Sequence, residues 1–256
     1  MKKIHKYAEW LFTKIKVNFS ERVFIYKDTK IRYIFQRNNS KYLIVIFSAC
    51  TRKGIKARYN YMGTLKRYKV NKLFILDDMG FDNRGIYYLG KNKDFKVKEG
   101  VNQLIDKIIK LTNSQTNIFL GSSKGGYAAL MFGIERKKSH IIVGAPQYYL
   151  GNYLNNEANG HILDFIMGDR AKDSVDTLNE ILKNTINSNK TNSNKIYINC
   201  SKNEPTYDKH VKSLISELEA DNIDYEVKLD DYSNHLDIGS YFPSFIHEII
   251  KKIIKV

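Results

Sequence analysis

Ser123 stands at the centre of Gly121-Ser122-Ser123-Lys124-Gly125, a G-x-S-x-G pattern between the apolar run Asn117–Leu120 and the small-residue stretch Tyr127–Ile134. The chemistry open to such a serine is attack on an acyl carbon. A strand that turns sharply into a helix holds its central residue in strained backbone geometry and lifts the hydroxyl off the sheet edge. Glycines are required because neighbouring chain comes too close for a Cβ. The first helical N–H groups, that of Lys124 among them, face the same space and carry partial positive charge for an oxyanion. A Walker phosphate loop would need G-x-x-x-x-G-K-[ST], which is absent.

A serine hydroxyl needs a base, and the base needs an orienting carboxylate. On this kind of turn the chain order is serine, acid, histidine. Of six histidines, His235 lies in Tyr232-Ser-Asn-His-Leu-Asp, after the last strand pattern and before the last helical one. That is where the base belongs. His210 and His247 fall inside helical patterns and read as packing or surface residues. Glu204 follows the strand pattern Ile196–Asn199 in a short loop and is the first candidate acid. Asp208 is the second, though it could instead cap a helix. Asp230, Asp231 and Asp237 are near His235 only in sequence, which is no warrant for pairing. A second oxyanion donor is expected from the backbone of Ala49 or Cys50, beyond the strand Tyr42–Phe47. Cys50 as a nucleophile lacks an evident partner. Arg52 and Lys124 are the candidate substrate-binding cations, with Lys53 beside them; solvated loop charge is the plain alternative. The Asp77-Asp78 pair by itself is a weak set of ligands, so no metal is expected, and no cofactor is implied.

The elements that must position these groups follow from hydrophobic periodicity. Arg22–Tyr26 and Ile31–Phe35 read as a hairpin. Tyr42–Phe47, Lys72–Leu76, Asn117–Leu120, Ile141–Val143 and Ile196–Asn199 are short apolar runs of the kind buried on both faces of a parallel sheet, and Tyr225–Leu229 is a sixth strand in that series. Helical patterns cover roughly 96–112, 124–136, 207–222 and 241–255. This alternation predicts an α/β fold: a mostly parallel central sheet, helices on both faces and the hairpin at one edge. One domain spanning 1–256 is expected. Residues 146–194 interrupt the rhythm with helical pieces near 161–168 and 173–186, and their length suggests a lid-like insertion. Residues 1–16 form a basic amphipathic helical pattern, packed on the domain or lying on a membrane surface.

The 256 residues suffice for a sizeable core, and 43% apolar residues exclude a disordered chain. No apolar run approaches the ~18 residues that span a bilayer. The interrupted N-terminus does not read as a signal peptide. Two cysteines, Cys50 and Cys200, exclude a disulfide scaffold and point to a reduced cytoplasmic setting. Peripheral membrane attachment is a second placement. The net charge of +15 suits an anionic partner, although Lys-rich composition alone can produce it. Zinc-finger spacings and RNP-type aromatic motifs are missing, so nucleic acid is not expected.

With serine, acid and base placed, residues 20–255 resemble the α/β-hydrolase superfamily. Within it, the blocks GSSKGGYAAL, DDMGFDNRGIYYLG and GAPQYYLGNYL are similar to XcbB/CpsF-type capsular-polysaccharide proteins. They also resemble the hydrolase-like O-acetyltransferase of the accessory Sec system. The resemblance implies Ser123 as nucleophile, Glu204 as acid, His235 as base, and transfer or removal of an acyl group on bacterial surface carbohydrate. No His-Gly-Gly-Gly oxyanion motif is present. The competing expectation is a non-catalytic module that docks to glycan-synthesis or secretion proteins.

Overall fold

The computed structural model describes residues 20–254; the expected N-terminal helix over 1–16 lies outside them. Eight strands form one sheet: β1 (Glu21–Tyr26), β2 (Thr29–Gln36), β3 (Tyr42–Phe47), β4 (Asn71–Leu76), β5 (Thr116–Ser122), β6 (His140–Gly144), β7 (Lys195–Cys200) and β8 (Asp224–Leu229). Their spatial order is β1-β2-β4-β3-β5-β6-β7-β8. The β1–β2 and β2–β4 pairings are antiparallel and all others parallel. The early hairpin therefore sits at one edge, as expected of an antiparallel pair beside a parallel series.

Two cores form because successive side chains of a strand point to opposite faces. On β3, Leu43, Val45 and Phe47 enter one core while Ile44 and Ile46 enter the other. The first face is covered by α1 (Lys96–Thr112), α2 (Lys124–Ile134) and α5 (Lys172–Asn189), and the second by α7 (Ile238–Ile254) with Leu65, Tyr68 and Val70 of the β3–β4 connection. Helix α1 buries Val97, Val101, Leu104, Ile105 and Ile108, one stripe at helical spacing. Helix α2 is buried on every side, so its sequence has no polar face. Between β7 and β8 the chain makes one π turn, Tyr207–Val211, before α6 (Lys212–Ala220).

The long β6–β7 segment divides in two. Helix α5 is the crossover that parallel pairing of β6 and β7 demands, and it buries Val175, Leu178, Leu182 and Ile186 in the first core. The chain additional to that crossover carries α3 (Leu150–Leu154) and α4 (Gly160–Met167). These helices are anchored: Gly151 packs so closely that a Cβ would lie 2.0 Å from the Val175 carbonyl oxygen. Asn152 and Asn179 exchange hydrogen bonds at 3.0 and 2.9 Å, and the Asn92 and Lys93 N–H groups donate to Phe165 and Ile166.

The β5–α2 turn is the tightest point of the fold. Ser123 has φ 50° and ψ −122°. A Cβ on Gly121 would stand 2.2 Å from the Gly125 carbonyl oxygen, and one on Gly125 2.7 Å from the Phe47 carbonyl oxygen. Neither neighbour is a flexible side-chain end. Gly125→Ala should therefore cost about 3 kcal/mol, near the upper end for overpacking, and urea unfolding should register it as a lowered midpoint. A midpoint equal to wild type would mean that β3 can move away from the turn.

Candidate active site

Three segments from different parts of the sheet meet at its carboxyl edge. The β5–α2 turn presents Ser123, the loop after β7 presents Glu204, and the loop after β8 presents His235. Ser123 Oγ is 2.9 Å from His235 Nε2. His235 Nδ1 is 3.1 Å from Glu204 Oε2 and 3.1 Å from Thr206 Oγ1. With the Nδ1 proton directed at the carboxylate, Nε2 is left as acceptor for the serine O–H. Glu204 is 2% exposed, so its bond to the imidazole is shielded from solvent. This arrangement can take a proton from a hydroxyl and return it to a leaving group.

The rival acids are engaged elsewhere. Asp208 pairs with Lys212 on the surface, Asp230 accepts from Asn199 at 2.7 Å, and Asp231 accepts from Asn203 at 2.8 Å. On the oxyanion side, the Ser123 N–H donates to Gly144 O at 2.8 Å and the first helical bond runs from Tyr127 N to Ser123 O. The N–H groups of Lys124, Gly125 and Gly126 thus lie ahead of the first intrahelical bond. Ala49 must be corrected as a donor, because its N–H already donates to Asn60 Oδ1 at 2.9 Å. Among the described residues no acceptor takes the Cys50 N–H, so that N–H is free where the Ala49 N–H is not. Burial pushes the Cys50 thiol up, against a nucleophilic thiolate.

Lys124 requires a second correction. Its side chain is fully buried rather than at the mouth. The Nζ donates to Asp77 Oδ2 at 2.9 Å and to Asp77 O at 3.1 Å, and lies 5.2 Å from the Tyr88 ring centroid. Asp77 Oδ2 also accepts from the Ile86 and Tyr88 N–H groups at 2.8 and 3.1 Å. The Tyr88 hydroxyl takes the Ser48 N–H at 2.6 Å, so the network runs from the serine turn to the loop after β3. Asp77 Oδ2 is thus taken up by this pair and the two N–H groups. Arg52 and Lys53, by contrast, are exposed, and Arg52 lines a cleft with Cys50.

Several site residues carried no sequence signal. Gln147 is fully buried and its Nε2 donates to Ser123 Oγ at 3.2 Å, steadying the hydroxyl opposite His235. It lies inside the GAPQYYLGNYL block, but an isolated glutamine has no telltale spacing. Thr206 and Asn60 act through loop geometry, and Tyr61 OH lies 2.5 Å from Ser122 Oγ under the turn. A cleft of about 640 Å³ opens beside Glu204 and His235, lined by Tyr149, Asn152, Tyr153, Asn156, Lys209 and His210 among others. Arg84 and His161 both hold Asp82, which fastens α4 to the loop beneath Thr51, whose carbonyl accepts from Arg84 at 3.0 Å.

A mostly parallel eight-stranded sheet with a serine-bearing strand–turn–helix at its carboxyl edge defines the α/β-hydrolase fold. Among solved structures, the chain is similar to the capsule O-acetyltransferase of Neisseria meningitidis serogroup A, a mutant of which was solved in complex with CoA. The TM-score is 0.73 at 24% identity, over 91% of this chain and 95% of that one. It is also similar to the glycosylation-associated Gap123 complex of Streptococcus agalactiae, with TM-score 0.74 and 19% identity over 91% of this chain and 46% of that one. The fluorophosphonate-binding serine hydrolase FphF of Staphylococcus aureus matches at TM-score 0.61 and 13% identity, over 90% and 97% of the two chains. No protein-family model and no curated protein matches the sequence.

Two outcomes follow from the buried groups. Lys124→Met should destabilise the protein by about 3–5 kcal/mol, because Asp77 is left charged and unpaired. Lys124→Met with Asp77→Asn should regain about half of that in the same urea titration, and a double variant no better than the single would show that the charge is not the cause. His210, 4% exposed, is lowered from 6.5 to about 4 by burial, aided by the Lys209 charge. Its neutral form is the one that folds, so stability is full above pH 6.5 and falls as the pH drops toward 4. His210→Gln should remove about 2–3 kcal/mol of that acid-side loss, read as the difference in unfolding free energy between pH 7 and pH 4.5.

Proposed function

We propose that this chain is a serine acyl enzyme that moves an acyl group, acetyl in the simplest case, onto a hydroxyl of bacterial surface carbohydrate, with hydrolysis when water replaces the acceptor. The observation that carries the reading is the unbroken contact chain from Ser123 Oγ through His235 to Glu204 at the glycine turn. Ser123 Oγ attacks the donor carbonyl while its proton passes to His235 Nε2. The N–H groups of Lys124 and Cys50 meet the oxyanion. Collapse breaks the bond to the donor's alkoxide or thiolate, which leaves with the proton from His235. The acceptor hydroxyl then attacks the acyl-serine, gives its proton to Nε2, and the second collapse returns that proton to Ser123. Glu204 and Thr206 hold the ring in orientation throughout.

Transfer to a glycan is favoured by the likeness to the capsule O-acetyltransferase, and its complex with CoA suggests a thioester as donor class. Helices α3 and α4 act as the lid that keeps water from the acyl-serine. A glycan-synthesis assembly in the cytoplasm, at an anionic membrane surface, is the setting that suits the charge. Among the described residues no helix is long and apolar enough to cross a membrane. A second reading, a non-catalytic assembly module, draws on the likeness to Gap123.

A fluorophosphonate probe separates the two, since it should label wild type at Ser123 and leave Ser123→Ala unlabelled. Turnover of a chromogenic acetate ester should fall by at least about a hundredfold in Ser123→Ala. Equal turnover by the variant, or an intact wild type that stays unlabelled, rejects the enzymatic reading.

A further inference from the structure

From Thr29 to Leu76 the chain has twelve Lys or Arg and no Asp or Glu, so most of the net charge of +15 arises in this one segment. Part of it is neutralised or withdrawn by the fold. Arg32 has Asp78 at 3.4 Å, and Lys72 is buried beside Gln36. Arg52 and Arg58 are treated differently. Both are exposed, and neither pairs with a carboxylate among the described residues. Nearby Arg84, which does pair, has Asp82 to itself and His161.

The two free arginines line one cleft of about 310 Å³ with Cys50, Thr51, Ile55, Asn60 and Leu236. Two of its lining residues lie next to candidate groups of the site. Cys50 offers the oxyanion N–H, Asn60 braces Ala49 beside it, and Leu236 follows His235. The larger cleft beside Glu204 has a different chemistry. Tyr149, Tyr153, Asn152 and Asn156 line it, and Lys209 is its one Lys or Arg. Asparagine amides and aromatic faces suit the hydroxyls and C–H faces of a sugar, whereas a guanidinium fork suits phosphate.

We propose that the Arg52–Arg58 cleft is a phosphate-recognising arm of the active site, which seats a phosphoryl group of one substrate while the other substrate's sugar lies in the Tyr149–Asn156 cleft. This rests on the acyl-enzyme reading for its catalytic meaning, but not for its binding. The phosphoryl group has two possible sources, a phosphorylated acyl donor or a phosphodiester-linked acceptor glycan. Each presents a dianionic or monoanionic oxygen set that a pair of unpaired guanidinium groups can grip in two places.

The test is calorimetric binding to the full chain carrying Ser123→Ala, so that no turnover intervenes. Free CoA stands for the donor, poly(glycerol phosphate) for the acceptor, and dextran is the neutral control. Adding Arg52→Gln and Arg58→Gln should weaken binding of CoA or of poly(glycerol phosphate) by roughly 30-fold, the scale expected for lost charge-assisted hydrogen bonds. Which of the two responds identifies the source. Arg52→Lys with Arg58→Lys, which keeps the charge and loses the fork, should fall between. The single variants, each at an exposed side chain, guard against a folding defect. Removing equal charge elsewhere with Lys110→Gln and Lys137→Gln should change affinity by less than about twofold, since exposed charges that far away are screened. The proposal is overturned if neither soluble anion responds to the arginines, if the remote variant weakens binding equally, or if only phosphatidylglycerol vesicles respond, which would make the surface a membrane contact. Absent fluorophosphonate labelling of wild type together with arginine-dependent anion binding would remove the acyl-enzyme reading and leave the cleft standing.

Discussion

A lysine with no exposed side-chain surface, paired with an equally buried aspartate, ties the site together. Lys124 is the first residue of α2, immediately after the serine, and its ammonium reaches under the sheet edge to Asp77 at the end of β4. The carboxylate in turn holds the Ile86 and Tyr88 N–H groups, and Tyr88 holds Ser48 at the start of the loop after β3. One ion pair therefore sets the distance between the hydroxyl and the loop that faces it. Buried pairs of this kind contribute little net stability against an apolar substitute. What they enforce is geometry, because either charge left alone is far more costly than both together.

The steric constraint at the turn works with this electrostatic one. Backbone from β3, β5 and β6 crowds around Gly121, Gly125 and Ser123, so the chain has almost no freedom there. The hydroxyl is fixed from below, while the imidazole approaches on the longer loop after β8 and is oriented by Glu204 and Thr206. One cleft is lined by His235 itself and a second by its chain neighbour Leu236. Those clefts differ in lining: two tyrosines and two asparagines stand in the first, and two arginines in the second.

Much of this was legible beforehand because the relevant signals are local. The apolar runs from Tyr42 to Asn199 had to be buried on both faces, whereas Tyr225–Leu229 forms a half-exposed edge strand. The order serine, acid, histidine singled out Glu204 and His235, which lie in hydrogen-bonding reach of each other. A lysine beside a serine on such a turn has the look of a cation for substrate, yet Lys124 is buried. Only the position of Asp77, forty-seven residues earlier in the chain, shows that its charge is already satisfied. Ala49 was misread for a similar reason, since nothing near it in sequence announces that Asn60 folds back onto its N–H.

Sequence by itself determined the parallel architecture, the glycine turn and the residue types able to move a proton, because hydrophobic period and turn sterics act over a few residues. Tertiary structure alone decided which charges are spent internally and which face solvent, and so which N–H groups and arginines remain free. Pairing energies depend on distance in space, and two groups far apart along the chain become partners only when the sheet brings their strand ends together.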